Sequence, residues 1–238
     1  MATFLTLCQK VAGDAGTLST GKPAAVTGQT GYEGKIVRWV QEAWRQVQNA
    51  HSSWLWMQGE FYGNTAASTQ RYAYGSFNDF ATSSTITRFA EWIVDRENVD
   101  SGISLYDPAV GVADEGALRW IDWELFYRTH LRGTVNTGKP SAFTITPDNK
   151  LAFAYVPDGI YTVRGRYRKD VQELAADSDV PECPVRFHDV IADVALMMLQ
   201  EHDEAPTISL TRMRRSENFC NLERDQLPRI EFSAGPLA

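Results

Sequence analysis

The sequence predicts an α+β fold, a helical bundle with β-rich insertions and an extended C-terminal arm. Near both ends of the chain apolar residues recur every three or four positions, most clearly over residues 187–198, as in amphipathic helices. In the middle they alternate with polar residues, most clearly over residues 161–168, as in half-buried strands. Strands and helices do not alternate regularly along the chain, which argues against a doubly wound parallel sheet.

The N-terminal segment predicts a short helix followed by a long loop. Phe4 and Leu7 lie at helical spacing within residues 3–12, and Thr3 precedes them as a suitable N-cap. Residues 14–33 are rich in Gly and Thr. Long loops of this kind are often functional.

A second helix is predicted over residues 35–50. Val40 and Trp44 lie on its apolar face, and charged residues cover much of the remainder. From residue 54 the apolar period changes to two. Residues 54–108 therefore predict a β-rich insertion, whose strands are separated by Asp, Asn, Ser and Gly.

Helical spacing returns over residues 114–130. Asp114 at the start of this segment suits the positive end of a helix dipole. Residues 142–169 predict a second β-rich insertion, which begins with a hairpin around a Pro-Asp-Asn turn at residues 147–149.

Two further helices and an arm complete the predicted order. Residues 186–203 carry a wide apolar stripe, which favours a central place in a bundle, and residues 208–222 predict a shorter, charged helix. Residues 226–238 contain two prolines and a glycine and predict an extended arm. We therefore expect one body over residues 1–225, followed by this arm.

Composition narrows the function classes. The chain has 23 basic and 30 acidic residues and a net charge of −7, which disfavours general nucleic-acid binding. Its three cysteines are widely spaced and form no CxxC pair, as expected for reduced thiols in a cytosolic protein. No apolar run reaches about 18 residues, so no membrane span is expected, and the N-terminus lacks a signal-peptide pattern.

Two segments resemble a phosphate-binding loop without completing it. Residues 16–22 and 133–139 both match GxxxxGK. The motif needs Ser or Thr at the next position and lies between a strand and a helix. Here Pro23 and Pro140 follow, and each segment comes after a predicted helix. Turn-forming loops explain both.

Other catalytic or metal-binding patterns are weak. Cys183 and His188 are a possible nucleophile and base, but no Gly-rich oxyanion loop accompanies them. The four histidines form no HxH or HxxxH pair. Asp177 and Asp179 are loop carboxylates without EF-hand spacing. We expect no catalytic residue, metal or cofactor, although abundant Asp and Glu leave open a hydrolase with paired carboxylates.

Basic clusters and the arm supply the candidate partner contacts. A strand face carries Arg164, Arg166 and Arg168. The late helix carries Arg212, Arg214 and Arg215. The arm adds Leu227, Pro228, Ile230 and Phe232. Arg is enriched at interfaces, so the strand cluster either contacts an acidic neighbour chain or DNA, or is a solvated face paired with local carboxylates.

Several segments together carry a family resemblance. They include FLTLCQ at residues 4–9, IDWELF at 121–126 and RFHDVI at 186–191. The other segments lie at residues 27–31, 36–40, 43–44, 54–57, 138–140, 177–181 and 222–228. Taken in order, they resemble the head-to-tail adaptor proteins of short-tailed bacteriophages, the group typified by the adaptor of phage SU10.

The resemblance implies a structural virion protein at the head-tail neck, assembled in the host cytoplasm, with no enzymatic activity. Such subunits form a ring, typically of twelve, beneath the portal. The ring continues the DNA ejection channel, through which DNA passes without sequence-specific binding, and it docks nozzle and tail-fibre proteins. Residues 14–33 and 226–238 are the expected contact segments. The main alternative is a tail nozzle or neck subunit. A virion-associated hydrolase is the less favoured alternative.

Overall fold

The computed structural model describes residues 1–16, 22–98, 100–133, 135–202 and 208–228, with only the helix backbone described over 208–216. The chain divides into two compact units. The helical unit comprises Met1–Met57 and Val171–Ala238, and the β unit comprises Gln58–Asp170. The α+β class is confirmed.

The described residues form five helices and ten strands. The helices are α1 (Phe4–Asp14), α2 (Gly31–Asn49), α3 (Trp123–His130), α4 (His188–His202) and α5 (Ile208–Gln226). The strands are β1 (Gln58–Asn64), β2 (Arg71–Tyr72), β3 (Asn78–Asp79), β4 (Glu91–Ile93), β5 (Ser104–Tyr106), β6 (Gly116–Ala117), β7 (Arg119–Trp120), β8 (Ala142–Ile145), β9 (Leu151–Phe153) and β10 (Thr162–Arg168). No helix in these described ranges has the length and apolar character needed to cross a bilayer.

The segment predicted as one body, residues 1–225, contains parts of both compact units. Side chains of α1, α2, α4 and α5 pack with one another in one apolar core. The strands and α3 bury their apolar faces in others. The two predicted β-rich insertions belong to one unit, because β10 from the second pairs with β1, β4 and β5 from the first.

Helix α4 is the centre of the helical unit, as its apolar stripe predicts. It packs against α1, α2 and α5, and most of its residues are buried. Phe4 of α1, Trp44 of α2 and Leu222 of α5 lie in the same core. A helix that is apolar on nearly every side is stable only when others surround it.

The start of α1 is capped from two directions. Thr3 Oγ1 accepts the backbone N–H of Thr6 at 3.3 Å, which confirms the predicted N-cap. The N–H of Phe4 donates to the carbonyl of Asp179 at 2.7 Å. The loop before α4 thus satisfies a donor that the first helical turn leaves without an internal partner.

A buried glutamine fixes the chain where it returns to the helical unit. Gln48 of α2 is 2% exposed. Its Nε2 donates to the carbonyl of Gln172 at 3.1 Å, and its Oε1 accepts the N–H of Gln172 at 2.7 Å. About two turns earlier in α2, Gln41 Nε2 donates to the carbonyl of Leu174 at 2.8 Å. Buried polar groups need such partners, so the returning segment follows α2.

Three helix boundaries differ from the sequence-based prediction by four residues or more. Helix α2 begins at Gly31 instead of residue 35. The helix predicted over residues 114–130 begins only at Trp123, because β6 and β7 occupy the preceding residues. Asp122 caps it and accepts the N–H of Glu124 at 3.0 Å. Helix α5 continues to Gln226 instead of ending at residue 222. The first residue of the predicted arm is therefore helical.

The β unit contains two sheets. In sheet A the strand order is β3-β1-β10-β5-β6, with β4 also paired to β10. In sheet B the order is β2-β9-β8-β7. Within the described ladders only β7 and β8 run parallel. The predicted hairpin joins β8 to β9, with Asn149 at a positive φ of 57° in its turn.

The two sheets share an apolar core. Sheet A contributes Phe61 and Val163, and sheet B contributes Phe143 and Phe153. The opposite side of sheet B carries small residues on which Phe126 of α3 packs, namely Ala142, Ala152 and Ala154. The layers of the β unit therefore run from sheet A through sheet B to α3, which leaves the second side of sheet A as an outer face.

Gly165 lies where an aromatic ring occupies the space of a side chain. It pairs with Phe61 across the strands. A Cβ at this position would lie 2.8 Å from Phe61 Cε1 and 3.0 Å from Ile103 Cγ1. Real Cβ atoms do not approach so closely without displacing their neighbours, so the strand requires glycine here.

We expect Gly165→Ala to lower the free energy of unfolding by about 1–3 kcal/mol, because the added methyl overpacks the core. Urea unfolding followed by tryptophan fluorescence measures this loss. Gly75→Ala is the matched control, because a Cβ there meets nothing within 4 Å. Equal stability of Gly165→Ala and the wild type would disprove the close packing of Phe61 on β10.

Candidate partner-binding surface

The outer face of sheet A carries the predicted arginine row. Val163 and Tyr167 of β10 point into the core between the sheets. Because side chains alternate along a strand, Arg164, Arg166 and Arg168 point to the opposite side. The alternation in the sequence thus places all three on one surface.

Carboxylates and aromatic rings flank this row. In register, Arg166 lies opposite Glu60 of β1, and Arg168 lies opposite Glu91 of β4. Tyr62 lies opposite Arg164 on the β1 side. Directly opposed residues share a face of the sheet, so the surface mixes positive, negative and aromatic groups.

Arg164 is held by its own neighbours. Its guanidinium lies 5.0 Å from the centre of the Tyr106 ring, and Nη2 donates to the Tyr106 hydroxyl at 3.3 Å. Nη1 is 3.9 Å from a carboxylate oxygen of Glu115. At the other end of the row, Arg168 Nε donates to Glu91 at 3.0 Å. Arg164 and Arg168 are thus paired with local carboxylates, which is the second of the two predictions made for the strand cluster.

Arg166 differs from them. It is exposed, and within the described part of the chain it forms no ion pair or hydrogen bond. Next to it lies Phe80, whose side chain is 56% exposed. The ring of Phe80 meets that of Tyr62 edge to face at 6.0 Å. Large aromatic side chains exposed beside an arginine are typical of interface centres.

Two shallow depressions surround these side chains. One, of about 320 Å³, is lined by Arg164 and Ser104 among others, and the second, of about 360 Å³, extends to Lys169. Glu60, Phe80 and Arg166 line both. We call Glu60, Phe80, Arg166 and Lys169 the sheet-A patch.

A buried carboxylate anchors the turn that carries Phe80. Asp79 is 6% exposed and accepts the Tyr167 hydroxyl at 2.6 Å and the Thr82 N–H at 2.9 Å. Burial by itself raises the pKa of Asp79, but these hydrogen bonds and the charge of Lys169 outweigh it and the net pKa is lowered. The ionised carboxylate therefore fixes the turn.

The remaining candidate contacts are placed only in part. Arg212, Arg214 and Arg215 belong to α5, but their side chains are outside the described residues and their role stays a prediction. Ile230 and Phe232 also lie outside the described residues.

The two remaining arm residues differ in burial. Leu227 packs against the helical core, and its N–H donates to the Glu223 carbonyl at 2.9 Å. This corrects its assignment to an extended arm, because Leu227 continues the turn that ends α5. Pro228 is exposed and is the last described residue.

The possible cysteine nucleophile has a structural role. His188 Nε2 donates to the backbone carbonyl of Cys183 at 3.0 Å. His188 Nδ1 forms no hydrogen bond with the described residues, so neither ring nitrogen bonds to the thiol. Burial raises the pKa of the Cys183 thiol to about 12. The reactive species in catalysis is the thiolate, so this environment opposes nucleophilic use.

The loop carboxylates near α4 are hydrogen-bonded to backbone. Asp177 accepts the Val26 N–H at 2.6 Å, and Asp179 accepts the N–H groups of Ala175 and Ala176 at 2.7 Å each. These bonds lower the pKa of Asp179. Within the described ranges no three potential ligands among His, Cys, Asp and Glu gather into a metal site.

The shifted carboxyl groups give no support to a carboxylate hydrolase. Such an enzyme needs one carboxyl with a raised pKa to act as the acid. Six described carboxyl groups have a lowered pKa, which is the opposite of what the acid requires. They are Asp79, Asp95, Asp114, Asp148, Asp179 and Asp225.

The sequence-based candidates omitted Phe80 and Glu60. Phe80 is the one large apolar residue in the polar run of residues 78–85, which is a weak signal of an exposed aromatic side chain. Glu60 joins the patch only through the pairing of β1 with β10, which the sequence does not specify.

We expect Asp79→Asn to lower the free energy of unfolding near pH 7 by roughly 1–2 kcal/mol, because hydrogen bonds to a charged acceptor are lost. The folded-state pKa lies below the ordinary 3.8. The stabilisation is therefore present above about pH 4 and disappears as pH falls through the folded-state pKa. Urea unfolding between pH 2.5 and 7 tests this. A pH-independent difference between variant and wild type would contradict it.

Comparison with known proteins identifies the family of the chain. A family model described as SU10 adaptor protein matches residues 2–228, nearly the whole chain. A search of the curated proteins found no match. The match agrees with the resemblance carried by the ordered sequence segments, and the chain belongs to the SU10 adaptor protein family.

Proposed function

We propose that this protein is the subunit of a ring that joins the portal to the tail nozzle and fibres of a short-tailed phage and continues the DNA channel. The family match over residues 2–228 carries the proposal. A structural role in a phage virion follows from the family itself. The twelvefold ring, the channel and the named neighbours are the proposed part.

The charge distribution supports protein partners over DNA. The chain carries a net charge of −7, and phosphate repels like charge. Glu60, Glu91 and Glu115 interrupt the arginine row on sheet A. A surface of mixed sign suits another protein surface, and an acidic body suits a channel through which DNA slides without adhering.

The construction of the units supports repeated assembly. A closed ring of more than two copies needs two different surfaces on each copy. Each unit has its own apolar core, so surface residues are free to differ between faces without loss of the fold. Exposed aromatic and apolar side chains, such as Phe80 and Leu125, supply contact material.

Mass photometry of the purified chain, with and without the portal of the same phage, tests the proposal. We expect a closed oligomer, of twelve copies, that forms or is stabilised in the presence of portal, because adaptor rings assemble on it. A chain that remains monomeric with portal would contradict the proposal. Rings that bind nozzle protein but not portal would favour a tail nozzle or neck subunit.

We expect removal of residues 229–238 to weaken portal or ring binding by about tenfold or more while the free energy of unfolding changes by less than about 0.5 kcal/mol. The core of the helical unit includes Leu222 and Leu227, which the truncation retains. Urea unfolding and portal pull-down measure the two effects. Loss of the fold would refute the assignment of this segment to partner contact.

A further inference from the structure

The two outer surfaces of the β unit are chemically complementary. One is the sheet-A patch. The other is the exposed side of α3, which lies beyond sheet B and therefore on the opposite side of the unit. Head-to-tail assembly of identical copies requires two different patches of this kind on one molecule.

The α3 surface presents charge without a partner. Glu124 and Arg128 are exposed, and neither forms an ion pair with a residue that the structure describes. Leu125, at 52% exposure, and Tyr127, at 42%, lie beside them. Phe126 is fully buried against sheet B, which turns Glu124 and Arg128 outward, whereas Leu125 borders a depression that Ala142 and Ala154 also line.

The charged and apolar groups on the two surfaces follow complementary orders. In the sheet, Arg166 lies opposite Glu60, and the N–H of Phe80 donates to the carbonyl of Glu60 at 2.8 Å. The row is thus cation, anion, aromatic ring.

Around α3 the order is anion, cation, aliphatic side chain. With 3.6 residues per turn, Arg128 lies about 40° and Leu125 about 100° from Glu124. The Cβ atoms of side chains four apart on a helix are about 5–6 Å from each other, and those of directly opposed residues in a sheet are about 4.5–5.5 Å apart. The two rows are therefore opposite in charge at each position and similar in spacing.

We propose that the sheet-A patch of one copy binds α3 of the next copy, with Glu124 on Arg166, Arg128 on Glu60 and Leu125 against Phe80. This inference rests on the proposed ring. A second copy is favoured over DNA because Glu60 lies within the patch and repels phosphate. Depressions of about 320 and 360 Å³ beside Phe80 give room for apolar side chains.

Charge reversal tests the pairing. Arg166→Glu alone and Glu124→Arg alone each place like charges across the interface, and we expect subunit association to weaken by about tenfold or more. A one-to-one mixture of the two variants restores association, because every contact in an alternating ring then joins opposite charges. Mass photometry on portal measures assembly, and thermal unfolding checks that each variant is folded.

Arg38→Glu and Glu97→Arg are the matched controls, since they reverse exposed charges outside both surfaces and leave ring formation unchanged. Single patch variants that assemble as well as wild type overturn the inference while leaving the proposed function intact. Normal rings that lose nozzle or DNA binding also overturn it and assign the patch to that partner. Wild type that never assembles refutes the proposed function itself.

Discussion

The pairing of β10 along both of its edges is the constraint on which the described surface depends. β1 covers one edge over the whole strand, and β4 and β5 share the other. With its backbone bonded on both sides, the strand has only two directions for its side chains. Val163 and Tyr167 enter the core, so the arginines must face outward. A shift of one residue would bury three guanidinium groups, at a cost that the apolar core does not offset.

Close packing on the inner side maintains this arrangement. Gly165 leaves room for the Phe61 ring, and Gly59 has Tyr167 carbon atoms where its own Cβ would stand. Tyr167 then donates to Asp79 and fixes the turn that exposes Phe80. The inner core therefore determines where an outer aromatic residue lies. Packing in the core thus fixes the positions of Phe80 and Arg166 on the outer surface. The two side chains lie next to each other although they form no bond with each other.

Local patterns predicted much of this fold. Thr3 caps α1, and the stripe of α4 lies in the centre. In β10, Val163 and Tyr167 lie in the core and Arg166 is exposed, as the alternation predicts. The failures involve contacts distant in sequence. Residues 114–122 carry a helical pattern. However, Gly116 and Ala117 pair with β5 as a strand, so α3 begins later than predicted. Glu60 meets Arg166 through a pairing that spans about half of the chain. Nothing in the sequence around Glu60 or Arg166 indicates that the two residues pair. The arginine row was therefore predicted, but the glutamate that lies within it was not.

We propose that opposite surfaces of the β unit are covered by copies of this chain and by neighbours in a phage particle. An electron cryomicroscopy reconstruction of the chain bound to portal tests this most directly. We expect identical copies around a closed axis, with Arg166 of each copy buried by the next. A bound monomer, or a ring in which the outer face of sheet A is open to solvent on every copy, would contradict it.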